Sequence, residues 1–294
     1  MTDEVFEKAL ADYVRDGGGS VMLIPIVGDP LVDPQVIDRI RRIHSFPSID
    51  RIKMITNAIL VERYGAEELL SSGLTTLSIS IAAFDAEMYE RVYRSKQYPR
   101  VRRNVMALLE TNSRLGRPVN IIIALRPDRP LNEVMKHKDF QDVLNFDPAL
   151  DFTWSFTTVN GRIRREMLPE AMRLRTAPPK TEACVNMYNG PMVLPNGDVL
   201  ACNCVAAMDA LADLKIGNIM EQPLGEIWRS DALRKLRSSF GSETLNPTCA
   251  GCDMYRNLEL YRTREGRARA EVNSARARGE FVKRPRETGV LVGG

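Results

Sequence analysis

RIKMITNAILVERYGAEELLSSGLTTLSISI, residues 51–81, holds two strand-like runs around a segment of helical length. RIKMIT (51–56) and TTLSISI (75–81) are short, rich in β-branched residues, and separated by a helical stretch near 62–72. A strand, a helix and a strand within about thirty residues make one parallel crossover unit. The same alternation extends both ways. Upstream, VMLIPI (21–26) reads as a buried strand, preceded by a helix over 3–15 with Phe6, Ala9, Leu10, Tyr13 and Val14 on one stripe. Gly17-Gly18-Gly19 stops that helix, and Asp33 and Pro34 open the next as cap and first-turn proline. Downstream, VNIIIAL (119–125) and DFTWSFT (151–157) are further strands, with helical segments near 85–93, 98–115 and 131–145. The pattern predicts an α/β domain with a parallel sheet, either Rossmann-type or a partial barrel. In both, chemistry belongs at the carboxyl ends of the strands. Gly28, Asp29, Pro30, Thr56, Asn57, Ser80 and Arg126 stand there.

Bulk properties narrow the class. The 294 residues suffice for one large domain and a small appendage. The composition, 44% hydrophobic and 27% charged, is that of a globular chain. The longest apolar run, Val21 to Val27, is far below the roughly 20 residues of a membrane-spanning helix. The acidic, amphipathic N-terminus has no basic region followed by an apolar stretch, so a secretory signal is not expected. The expected location is the cytoplasm, with no membrane partner. A net charge of +3 is too small to suggest nucleic acid. Ten Lys/Arg between Arg256 and Arg286 read as a solvated basic tail.

All five cysteines, Cys184, Cys202, Cys204, Cys249 and Cys252, lie in the C-terminal part. In an intracellular chain such a cluster points to metal before disulfide. Cys249-Ala250-Gly251-Cys252 is a C-x-x-C whose glycine permits a tight turn presenting two thiolates to one centre. PMVLPNGDVLAC (191–202) carries an Asn-Gly turn, which predicts a hairpin returning Cys202 toward Cys184. Two such pairs make a four-cysteine site. Thiolates suit zinc and iron–sulfur clusters alike, so a zinc knuckle that staples the fold stands beside a cluster on these residues. His44 and His137 fall in predicted helices away from the cysteines, which argues against a His-based metal site.

The wider order is Cys184, twelve residues, Gly197, four residues, Cys202, a gap holding IGNI (216–219) and LGEIW (224–228), then the C-x-x-C. It resembles the SPASM-like segment of radical S-adenosylmethionine (SAM) enzymes, which binds auxiliary [4Fe-4S] clusters. No cysteine follows Cys252, so the resemblance implies one auxiliary cluster on Cys184, Cys202, Cys249 and Cys252, with Cys204 as reserve ligand or buried thiol. The front of the chain is similar to the same superfamily. VGDP (27–30) resembles its Gly-Gly-Glu-Pro loop, with Val27 and Asp29 in place of glycine and glutamate. Thr56-Asn57 matches a Thr-Asn step, and LSISIAAFDAEMYERVYR (77–94) the strand, serine, aspartate and helix that follow. Gly28, Asp29, Pro30, Thr56, Asn57 and Ser80 are thereby implied to surround SAM.

The C-x-x-x-C-x-x-C that holds the SAM-cleaving cluster in that superfamily does not occur in this sequence. The resemblance therefore suggests a partial barrel whose first strand is missing, leaving the 21–26 strand unpaired and the helix over 3–15 partly uncovered. The expected organisation is a barrel over residues 1–160, a linker over 161–182, a SPASM-like module with a β-hairpin and helices over 183–255, and a tail over 256–294. The implied activity of the complete enzyme is hydrogen abstraction by a 5′-deoxyadenosyl radical from a peptide, protein or small molecule, with an electron donor such as flavodoxin or ferredoxin. A degenerate paralogue that binds SAM or a peptide without radical chemistry is the alternative, and no catalytic residue is assigned.

Overall fold

A computed structural model describes residues 1–24, 28–82, 84–202, 210–259 and 262. Helix α1 (Asp3–Arg15) begins at Thr2, whose Oγ1 accepts the Val5 amide, and carries Asp3 and Glu4 in its first turn, where the helix dipole favours them. It ends at Gly17 and Gly18, both at positive φ. Gly18 is obligatory, because a Cβ there would lie 2.4 Å from the Ser48 carbonyl oxygen. Strands β1 (Gly19–Leu23), β2 (Ile49–Thr56), β3 (Thr76–Ile81), β4 (Asn120–Leu125) and β5 (Ala149–Phe152) form one sheet in sequence order, every pairing parallel. The helices between them are α2 (Val36–His44), α3 (Ala66–Leu70), α4 (Ala86–Tyr93), α5 (Tyr98–Arg114), α6 (Leu131–Val134) and α7 (Lys138–Leu144). This is the α/β partial barrel expected from the sequence.

The register makes the two faces of the sheet unlike. Met54 pairs with Leu77, Leu77 with Ile121, and Leu125 with Phe152, and all five are buried in the main core. One residue along, Ile55 pairs with Ser78, Ser78 with Ile122, Ser80 with Ala124, and Ala124 with Asp151. This second face is small and polar at its carboxyl end, and Ser80, Ala124 and Asp151 are only half-buried. A period of two in the strands thus separates an apolar, helix-covered face from one that is small and polar at its carboxyl end.

Four local expectations shift. The second helix starts at Val36 rather than Pro34, although Asp33 Oδ1 still accepts the Gln35 amide at 3.0 Å. The 131–145 helix is split, since His137 is extended (φ −69°, ψ 131°). The 151–157 strand leaves the main sheet after Phe152. Its remainder, β6 (Ser155–Phe156), pairs in parallel with β7 (Arg173–Leu174), so the 161–182 stretch contains a strand and the buried Met172. The strand expected at 21–26 runs from Gly19 to Leu23, and residues 25–27 lie outside the described set.

The C-terminal part has its own core. Strands β8 (Met192–Val193), β9 (Asp198–Leu200) and β10 (Lys215–Asn218) form an antiparallel sheet, with helices α8 (Ala210–Leu214), α9 (Leu224–Trp228), α10 (Asp231–Ser238) and α11 (Pro247–Ala250) around it. Helix α1 serves both cores. Leu10 is buried in the main one, and Val5 is buried among Cys184, Ile219, Leu224 and Ile227. The apolar face of α1 is thus shared between the two cores, against the expectation of a partly uncovered helix. Asp12, 3% exposed, accepts the Leu224 amide at 2.9 Å and ties α1 to the start of α9. Among the described residues no helix is long and apolar enough to cross a membrane.

Candidate metal centre

Three separated segments bring four thiols to one cavity. Residues 183–185 pair with 256–258: the Val185 amide donates to the Arg256 carbonyl (2.8 Å), the Leu258 amide to the Ala183 carbonyl (2.8 Å), and Cys184 bridges Asn257. The hairpin turns at Asn196-Gly197, where Gly197 (φ 84°) leaves no room for a Cβ, 2.7 Å from Asn218 Oδ1. Its return strand delivers Cys202, and the Ala201 amide donates to the Leu214 carbonyl. Helix α11 is capped by Asn246, and Thr248 Oγ1 donates to Asp213 Oδ2 at 2.7 Å, anchoring Cys249. Cys184, Cys202, Cys249 and Cys252 line this cavity together with Met187, Phe240 and Tyr255. The first three are each 6% exposed, and Cys252 is half-buried. Cys204 lies outside the described residues.

Gly251 sits at φ −79°, in the ordinary helical region, so the C-x-x-C turn does not need glycine's conformational freedom. The turn is instead held by α11 itself and by Asp253, which sequence reasoning passed over. Asp253 is buried and accepts Thr157 Oγ1 at 2.6 Å and the Thr158 amide at 2.5 Å. It therefore locks the cysteine loop to the chain leaving the barrel just after β6. Its position directly after the C-x-x-C was the available signal.

Burial drives the Cys249 thiol up to about 12, and the neighbouring Cys252 and Cys184 thiols push the same way. Such a thiol ionises readily only when a cation binds to it, as metal centres require. Among the described residues, no three His, Cys, Asp or Glu side chains converge as closely as the ligands of one metal ion.

The strand-end residues form a second cluster. Asp29 is buried, and its carboxylate accepts Thr56 Oγ1 (3.0 and 2.9 Å), the Asn57 amide (2.6 Å) and the Leu31 amide (3.0 Å). The loops after β1 and β2 are thus cross-linked, which brings Gly28, Asp29, Pro30, Thr56 and Asn57 together. Asn104 of α5, another residue the sequence did not flag, supports the same loop by donating to the carbonyls of Ala58 (2.8 Å) and Ile59 (3.2 Å). Ser80 Oγ accepts from the Arg126 guanidinium, joining the ends of β3 and β4. Replacing Asp29 by alanine would leave the Asn57 and Leu31 amides without their acceptor. A loss of about 2–4 kcal/mol in a urea melt is expected, with Asn57 and Leu31 amides exchanging faster.

The geometry thus joins a parallel partial barrel, with polar residues gathered at its strand ends, to a module that gathers four cysteines at one cavity. Residues 1–140 match the radical SAM superfamily, and residues 184–253 match the SPASM iron–sulfur cluster-binding domain. The chain belongs to the radical SAM superfamily and carries a SPASM module. GTP 3′,8-cyclase of Alkaliphilus metalliredigens (strain QYMF) is 30% identical over 149 residues, 50% of this chain and 43% of that protein. The enzyme of the same name from Petrotoga mobilis (strain DSM 10674 / SJ95) is 26% identical over 119 residues, 40% of this chain and 33% of that protein. The chain thus matches less than half the length of these curated relatives. Streptococcus suis SuiB bound to S-adenosylmethionine shares the fold at 14% identity and a TM-score of 0.55, covering 90% of this chain and 68% of that one. SuiB bound to precursor peptide SuiA gives 14% and 0.56, covering 90% and 67%.

Proposed function

We propose that this chain holds one auxiliary [4Fe-4S] cluster on Cys184, Cys202, Cys249 and Cys252, and binds SAM at the carboxyl ends of β1 to β3. The observation that carries the first part is the convergence of four cysteines from three segments on one cavity, within the stretch that matches the SPASM iron–sulfur cluster-binding domain. Tetrahedral zinc on the same four thiolates is the competing reading, which metal and sulfide content separates. The second part rests on the strand-end cluster. Because the Asp29 carboxylate already has three donors from its own chain, it acts as the strut of the loop. The Gly28-Asp29-Pro30 segment would face the ammonium of SAM, and Asn57 and Ser80, which also contact the Ile59 amide and Arg126, its ribose or carboxylate.

The cysteines of a SAM-cleaving cluster are not among these 294 residues. Four of the five thiols close the auxiliary site, and one remaining thiol cannot ligate a second cluster. The chain by itself therefore binds without cleaving. The complete enzyme would abstract hydrogen with a 5′-deoxyadenosyl radical, and the SuiB likeness favours a peptide among its candidate substrates. The test is 5′-deoxyadenosine formation with SAM and dithionite, for the 294-residue chain and for a version joined to a segment bearing C-x-x-x-C-x-x-C. The expected result is background for the first and turnover for the second. Turnover by the first contradicts the assignment of the cysteines, and silence of both favours a binding-only paralogue.

A further inference from the structure

A lysine ammonium stands beside the cysteine cavity. Lys180 is half-buried, on the segment leading into Cys184. Its Nζ donates to the Pro178 carbonyl at 2.6 Å and lies 5.0 Å from the centre of the Tyr255 ring. That ring is one wall of the cavity lined by the four thiols. Tyr255 is itself fixed, since its hydroxyl donates to the Glu182 carbonyl at 2.7 Å and its ring stacks on Phe240 at 5.9 Å. The ammonium is thus held against the aromatic wall of the site. Burial lowers its pKa, while Cys252, Cys184, Asp253 and Cys249 oppose that shift, so the same groups that would surround a cluster feel this cation. Of the other charges near the loop, Asp253 is hydrogen-bonded to Thr157 and Thr158, and Asp213 accepts from Thr248.

We propose that the Lys180 ammonium sets the reduction potential of the cluster on Cys184, Cys202, Cys249 and Cys252, keeping it more easily reduced than four buried thiolates alone would allow. This rests on the cluster reading given above. Reduction adds one electron from an external low-potential donor, and no proton moves. A cubane ligated by four thiolates then goes from two net negative charges to three. The added charge is confined to a largely buried cavity, where a nearby cation stabilises the reduced form more than the oxidised one. Lys180 also sits on the Tyr255 face, where a cation gains from the ring and stays partly shielded from solvent.

The test is a redox titration of reconstituted protein followed by electron paramagnetic resonance, in the wild type, Lys180→Met and Lys180→Arg. Iron and sulfide are counted in each sample. Lys180→Met is expected to keep its full cluster but to show about a tenfold lower reduced-to-oxidised ratio at a fixed poise, equivalent to about 59 mV for a one-electron couple. Lys180→Arg keeps the charge and is expected to titrate near the wild type. An unchanged midpoint in Lys180→Met with a full cluster overturns this proposal and leaves the cluster reading standing. Equal shifts in both variants also overturn it, since charge would not be the cause. A wild type that takes up neither iron nor sulfide overturns the cluster reading and the proposal together.

Discussion

Serine at Cys249 or Cys252 is expected to abolish cluster assembly, taking iron and sulfide from about four of each per chain to near zero. The effect should be all or none for a physical reason. A cubane with one corner left to a serine hydroxyl loses a thiolate ligand in a cavity where 6% exposure of three of the four cysteines leaves little water to replace it. The protein should also lose stability, because bound iron is what lets four sulfurs packed so near one another stay ionised. Cys249 carries the sharpest form of this argument. Its thiol, pushed up to about 12, remains protonated at neutral pH unless iron is present. Serine at Cys204 is the matching control and should leave the iron content near that of the wild type. The measurement is colorimetric iron and sulfide together with the broad visible absorbance of the cluster.

Asp12→Ala is expected to cost about 2–3 kcal/mol, a fall in Tm of roughly 5–10 °C for a chain of this size. The cost falls on both halves of the molecule. The Leu224 amide loses its buried acceptor, and α1, which packs on the two cores, loses its tie to α9. Lys8 and Arg15 also pair with Asp12, but both are substantially exposed and add little. The pH dependence gives a second readout. Burial pulls the Asp12 carboxyl upward, yet the Leu224 amide, Lys8 and Arg15 outweigh it and hold its pKa below the ordinary 3.8. A depressed carboxyl contributes stability that is fully present above the unfolded value and is lost as pH falls through the folded one. The gap between the wild type and Asp12→Ala should therefore be constant from neutral pH down to about 5 and shrink below 3.8. A gap that widens on acidification would show that Asp12 is not the bridge.

The sheet was legible because its signal is local. TTLSISI alternates Leu77, Ile79 and Ile81 with Ser78 and Ser80, and the structure places those two sets on opposite faces. The hairpin at Asn196-Gly197 was legible for the same reason, since a positive φ at Gly197 is what that dipeptide predicts. The break after Phe152 was not, because β6 is fixed by pairing with Arg173 and Leu174, and such a non-local contact leaves no period in the sequence. The cysteines pointed to a metal centre, yet their spacing could not choose between zinc and an iron–sulfur cluster. Asp12, Asp253 and Asn104 were silent for a common reason. Each is a lone polar residue in an ordinary stretch, and its importance comes from backbone amides, hydroxyls or carbonyls supplied by a distant segment.

The central claim is that four thiols hold one cubane and not a single ion, and the most direct measurement is the metal and sulfide content of the wild-type chain after anaerobic reconstitution with iron, sulfide and competing zinc. The account predicts about four iron and four acid-labile sulfide per chain, with zinc well below one. One zinc per chain with no sulfide would contradict it.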